Sequence, residues 1–226
     1  GTREPRRLRR AALYAPAARV ILMTEEGPRD LGPSRRLFFR GSTETLSPTP
    51  VALSLEPETR RLRGTVFREG EILELDDYSS GDAGRHALRN RTELVDTEMS
   101  CGSDLLDSRD LDNPFAGDMS PYPFELRSGG GMRQVVVAVD TDNEFMQKRF
   151  SNNQNAANDW IAELFNVMNV MYERDLDLHL AIGTVILRPS GQGDPYTGGS
   201  GASQAQLEQF GQYWDTHYDN IDRTFA

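Results

Sequence analysis

The chain has 226 residues, 37% of them hydrophobic and 27% charged, with a formal net charge of −10 at pH 7, which is enough apolar material for one large or two modest domains with real cores. The acidic balance argues against general nucleic-acid binding, which needs a basic face to displace phosphate counterions. No apolar run approaches the roughly 20 residues that a membrane-spanning helix requires, and the single cysteine, Cys101, excludes an intrachain disulfide.

The charge is unevenly spread. Residues 1–40 hold ten arginines against four acids, about +6, which leaves about −16 for the remainder; an attraction between the two parts follows. Two strands are expected in or near this basic segment, one over residues 18–26 (ARVILMTEE), closed by Gly27 and Pro28, and one over residues 35–41 (RRLFFRG). Residues 51–77 hold three short alternating runs broken at Pro57-Glu58 and Glu69-Gly70, the pattern of an antiparallel meander. Taken alone, this region reads as a small β-sandwich with a half-buried surface. From residue 78 to 128 the chain is rich in Ser, Asp, Gly, Asn and Pro and poor in β-branched residues, the composition of a long linker. Cys101 sits in its middle, in SCGSD; a lone thiol there is a core residue, a reactive group or a metal ligand. Residues 120–131 (SPYPFELRSGGG) then place three glycines ahead of the next strand. A domain boundary near residue 130 follows, and Arg127 stands where a trypsin-like or self-processing cut is easy.

Residues 134–187 read as strand, helix, strand. QVVVAVD (134–140) is a β-branched run of the kind found in a buried strand. Ile161, Leu164, Phe165, Met168, Met171 and Tyr172 then recur at helical spacing on one stripe, while Asn158, Glu163, Asn166, Asn169 and Glu173 take the other side. LDLHLAIGTVIL (176–187) is the second strand, and a unit of this length implies parallel strands joined by a right-handed crossover. Residues 188–203 form a loop. Ser203 and Gln206 have capping-box spacing for a helix in which Leu207, Phe210 and Trp214 share a face, ending near residues 217–220, and NIDRTFA begins a third strand. The fold class is therefore α/β in its second half and α+β overall. A two-stranded parallel core with two helices cannot cover both sheet faces, so the sequence is expected to be part of a larger catalytic domain.

Candidate chemistry is sparse. His86, His179 and His217 are too scattered for a helical metal pair; His179 fits a satisfied strand residue and His217 a favourable contact at a helix end. No GxSxG, Walker loop or Rossmann glycine fingerprint is present. Asp140, Asp142 and Glu144 alternate after the first core strand, and carboxylates at a strand's carboxyl end can bind a divalent cation. The segment resembles the first metal-site segment of a von Willebrand A domain, except that Asp142 and Glu144 stand where that motif has serines.

In order, VVVAVDTDNEF, the helix ending FNVMNVMYERDL, the strand LHLAIGTVIL, the loop GDPYT and QFGQYWDTHYDNID before a third strand resemble the amino-terminal half of a metzincin zinc metallopeptidase of the reprolysin-like group. Upstream, LFFRGSTETLSPTPVALSLEPETRRLRGTVFREGEILEL is similar to the β-rich propeptide of those enzymes. The resemblance implies three parts: a β-rich propeptide-like domain (1–80), an acidic linker (81–130) and the leading part of a catalytic domain (131–226). It implies a secreted protein, extracellular or periplasmic, that hydrolyses peptide or protein substrates with zinc-activated water, and a propeptide that contacts its own catalytic domain. It gives Cys101 the role of inhibitory zinc ligand, a thiolate that closes the coordination site a water would occupy. The zinc motif HExxHxxGxxH is absent from these residues, and the resemblance puts it beyond Ala226. A calcium site of the group has Asp219 at one position, with Gln134 where a glutamate is expected. The alternative is a non-catalytic β-sandwich plus α/β module that binds protein, or a divalent cation through Asp140, Asp142 and Glu144.

Overall fold

A computed structural model describes residues 6–43, 49–68, 71–77, 86–90, 131–196 and 204–224. The chain is mixed α/β, with more strand than helix and two separate sheets. The first sheet is antiparallel and six-stranded: β1 (Arg6–Arg10), β4 (Leu37–Thr43), β5 (Pro50–Leu55), β6 (Leu62–Arg68), β7 (Glu71–Asp77) and β8 (His86–Asn90), in that order. The expected meander of residues 51–77 is β5 to β7. Arg60, at φ 58°, turns the chain between β5 and β6, and the Glu56 N–H donates to the Arg61 carbonyl at 2.9 Å. β8 lies inside the stretch whose composition reads as linker, because five residues of modest β propensity become a strand when a paired edge is offered.

The second sheet holds β3 (Gly27–Asp30), β2 (Tyr14–Thr24), β10 (Leu178–Leu187) and β9 (Arg133–Asp140) in the order β3-β2-β10-β9. β9, α1 (Gln154–Leu176) and β10 make the expected parallel strand, helix, strand unit. The strand expected at 18–26 does not join the first sheet. It pairs parallel with β10, Thr184 to Leu187 opposite Arg19 to Leu22, while β3 folds back on it through Gly27 at φ 112°. Among the described residues the small β-sandwich is therefore not formed, and the parallel core has three strands, β2, β10 and β9. The physical reason lies in β10, which is buried from Leu180 to Leu187 and so needs a paired strand on each edge.

α1 lies between the sheets, against β10 and against β4 and β5. It begins at Asn153, whose side-chain oxygen accepts from the Ala156 N–H at 3.0 Å, and ends at Asp177 in the left-handed region. One π-helical turn, Phe145–Arg149, precedes it. Ile161, Ala162 and Phe165 pack with Leu13, Val20, Leu22, Phe38, Ile182 and Val185 in the main core. Leu164 and Met171, expected on the same stripe, are exposed.

α2 (Gln204–His217) covers the other face of the second sheet, Trp214 packing on Ala138 and Ile186 with Phe210, Tyr213, Tyr218 and Ile221 around it. Leu207, expected on that apolar face, is 68% exposed; Ser203 lies outside the described residues. The chain then returns to the free edge of β9, where the Thr224 N–H donates to the Val136 carbonyl at 2.7 Å and Thr224 Oγ1 accepts from the Val136 N–H at 3.1 Å. The layers are α2, the parallel sheet, α1 and the antiparallel sheet. Among the described residues no helix is long and apolar enough to cross a membrane.

Candidate functional site

Two polar constellations are built by this fold. The first stands at the carboxyl ends of β9 and β10. Parallel pairing puts Ile186 opposite Asp140, so the residue just past β10, Arg188, reaches the carboxylate that closes β9. Its Nε and Nη2 donate to the two Asp140 oxygens at 2.8 and 2.9 Å, with side chains 2% and 0% exposed. The Tyr196 hydroxyl donates to Asp140 Oδ2 at 2.6 Å, and Arg188 Nη2 donates to the Tyr218 hydroxyl oxygen at 3.3 Å. The guanidinium also lies 5.7 Å from the Tyr196 ring centre and 5.3 Å from that of Tyr213, within cation–π range.

Burial works against the Arg188 charge, but the hydrogen bonds and charge of Asp140 outweigh it and raise its pKa. Burial, then the bond to Asp140, pushes the Tyr196 hydroxyl well above the ordinary phenol range. A buried, bidentate pair of this kind is fixed, because removing either partner strands the other's charge. It therefore works as a pin that joins β9, β10, the loop after β10 and the residues following α2.

The neighbouring carboxylates are also engaged. Asp142 Oδ1 accepts from the Phe145 N–H at 2.6 Å, Asp194 accepts from the Asn143 and Tyr196 N–H groups at 2.9 and 2.8 Å, and Glu144 is exposed. Asp140, Asp142 and Glu144 thus do not converge, and the divalent-cation reading loses its ligand set. Among the described residues no group of three or more His, Cys, Asp or Glu side chains is placed to hold a metal ion. His179 pairs with Glu173, and His217 stacks on Tyr213 with ring centres 4.1 Å apart. Asp219 and Gln134 are both exposed. Cys101 and Arg127 lie outside the described residues.

The second constellation is a polar seam between α1 and the N-terminal strands. Asp159, Glu163, Asn166 and Glu173 recur on one stripe of α1. Arg36 Nε donates to Asp159 Oδ2 at 3.0 Å and its Nη1 to Glu163 Oε1 at 2.6 Å, while Ser34 and Ser54 hydroxyls donate to Asp159 and Glu163 at 2.5 and 2.7 Å. Asn166 Nδ2 donates to the carbonyl of Leu53 at 3.0 Å. At the far end Glu173 takes Arg40 and Arg9, at 2.5 and 3.0 Å, with His179 Nδ1 2.8 Å away. Burial draws the Arg40 pKa down, and Glu173 partly offsets it.

This seam was half visible in the sequence. The arginine-rich first 40 residues and the acidic remainder do attract, through Arg9, Arg36 and Arg40. The polar stripe of α1, however, faces protein rather than water, and no helical periodicity distinguishes those two cases. Arg188 belongs to no motif in the sequence. Its only mark in the sequence is that a strand ends on an arginine and the preceding parallel strand ends on an aspartate.

No protein-family profile matches the chain, and no curated protein sequence matches it.

Proposed function

We propose that this chain is the β-rich N-terminal region and the leading half of the catalytic domain of a secreted zinc endopeptidase of the reprolysin-like group. The observation that carries the reading is the return of the chain after α2 to the edge of β9, where Thr224 pairs with Val136. Strand, helix, strand, helix and then a third strand position is the order that the sequence resemblance implies. The contacts of Arg36, Arg40 and Ser54 with α1 support the further expectation that a propeptide touches its own catalytic domain.

In this reading the described residues are scaffold. They set the sheet and bury its faces, and the residues that hold zinc and activate water follow residue 226. Peptide or protein substrates then bind beside a sheet edge, as extended chains commonly do. Cys101 is the thiolate that keeps the zymogen latent, and Arg127 marks the processing site.

The natural reading frame should continue into HExxHxxGxxH, and its full-length product, once processed, should hold about one zinc per chain and hydrolyse peptides. A product with neither zinc nor peptidase activity overturns the proposal. Cys101→Ser should raise the activity of the unprocessed protein and remove a sulfur ligand from its zinc; unchanged latency refutes the role of the thiol.

A further inference from the structure

The N-terminal strands are attached to the α/β unit in two chemically different ways, and together these decide what a cut in the chain does. The first is apolar and hydrogen-bonded. β2 is an internal strand of the parallel sheet, paired with β10 on one side and β3 on the other. Val20 and Leu22 on β2, Leu13 just before it and Phe38 on β4 share one core with Ile161, Phe165 and Ile182. Taking β2 away would open that core and leave β10 with unpaired backbone groups along one edge.

The second attachment is the seam. Arg36 and Arg40 have side chains only 11% and 7% exposed, so their pairs with Asp159, Glu163 and Glu173 are largely shielded from solvent and salt. Partly buried charges of this kind are stable only with their partners present. All of these contacts join residues 9–54 to residues 159–187, and none requires the chain to be continuous between residues 91 and 130. The shared apolar core resembles the interior of one domain more than a transient contact between two.

We propose that residues 6–90 are a resident part of the α/β unit: when the chain is cut between residues 91 and 130, the N-terminal fragment stays seated, with β2 along the edge of β10 and the arginines on α1. The inference rests on the reading of that stretch, with Arg127, as the place of processing, and it changes what processing does. Cleavage severs the chain without shedding the β-rich region, and the edge of β10 stays occupied.

The test uses the full chain. A recognition sequence for a site-specific protease, flanked by glycine and serine, is inserted between residues 91 and 130, and cutting is carried to completion as judged on a denaturing gel. At micromolar concentration the nicked protein should give one size-exclusion peak, at the elution volume of the uncut chain and containing both fragments, which separate only in denaturant. Dissociation of the nicked protein should rise about tenfold or more in Arg40→Met, and in Arg36→Gln should Arg40→Met fail to fold before cutting. Two native peaks from the nicked unsubstituted protein overturn the proposal, and unchanged dissociation in the variants removes the seam from it. Peptidase activity plays no part in the readout. A protein that proves not to hydrolyse peptides can still keep its fragment, and a proven peptidase can shed it.

Discussion

Asp140 shows how a side chain's role changes once its neighbours are known. By spacing it belongs with Asp142 and Glu144, yet its partner Arg188 is 48 positions away and becomes a neighbour only because parallel pairing aligns the ends of β9 and β10. With both side chains shut off from water, Asp140→Asn leaves a guanidinium without its counter-charge and should cost about 3–5 kcal/mol, read as a lowered urea midpoint with an unchanged slope. Tyr196→Phe removes one bond to that carboxylate and should cost about 1.5–3 kcal/mol. Tyr14 makes a further prediction, at alkaline pH. Burial, opposed by the bond from the Ser34 N–H and reinforced by the charge of Asp159, pushes its hydroxyl up to about 12. A phenol whose folded pKa exceeds its unfolded value of about 10 stabilises the fold fully below pH 10 and loses that contribution as pH rises towards 12. Stability measured at pH 9 and pH 11.5 should therefore fall by about 2 kcal/mol more in the unsubstituted protein than in Tyr14→Phe. Tyr196 and Tyr218 are raised as well, which is why the difference between the two proteins is the quantity to read.

At the scale of elements, α1 carries most of the organisation. Its apolar stripe was legible because Ile161 and Phe165 repeat at the helical period beside two strands that need covering. Its polar stripe was not, because Asp159, Glu163, Asn166 and Glu173 have the same spacing whether they meet water or the arginines of β4 and its approach. The same limit hid the partner of β10: the apolar run at 18–26, closed by Gly27 and Pro28, announces a strand, but nothing in it names the sheet it enters. Asn169 illustrates the consequence. It is fully buried, and its side chain donates to the Leu180 carbonyl at 2.9 Å and accepts from the Leu180 N–H at 2.7 Å. β2 pairs with β10 only from Ile182 onward, so this amide satisfies main-chain groups that strand does not reach. Asn169→Leu conserves volume but leaves a buried donor and a buried acceptor unpaired. A loss of about 2–5 kcal/mol is expected, with faster hydrogen exchange at Leu180 as the local mark.

Across the whole molecule, the division expected near residue 130 and the division into sheets do not coincide, since β2 precedes that boundary and β10 follows it. The shared helix makes the two sheets energetically dependent on each other. Unfolding the antiparallel sheet uncovers Asp159, Glu163 and Asn166 on α1, and unfolding the parallel sheet removes the surface that holds α1 in place. One cooperative transition should result. The two tryptophans are suited to test this because they report from different layers. Trp160 lies 5.5 and 6.1 Å from the rings of Phe145 and Phe150 and under the guanidinium of Arg149, and it lines a cavity together with residues of β5 and β6. Trp214 is buried between α2 and the far face of the parallel sheet. In Trp214→Phe the fluorescence follows Trp160, and in Trp160→Phe it follows Trp214. Each substitution lowers stability by its own amount, so the comparison is made within a variant, between its fluorescence and its far-ultraviolet circular dichroism. In both variants the two urea midpoints should coincide. A fluorescence midpoint displaced from the dichroism midpoint in either variant would mean that one layer melts while the other stands, and that the two sheets are separate folding units.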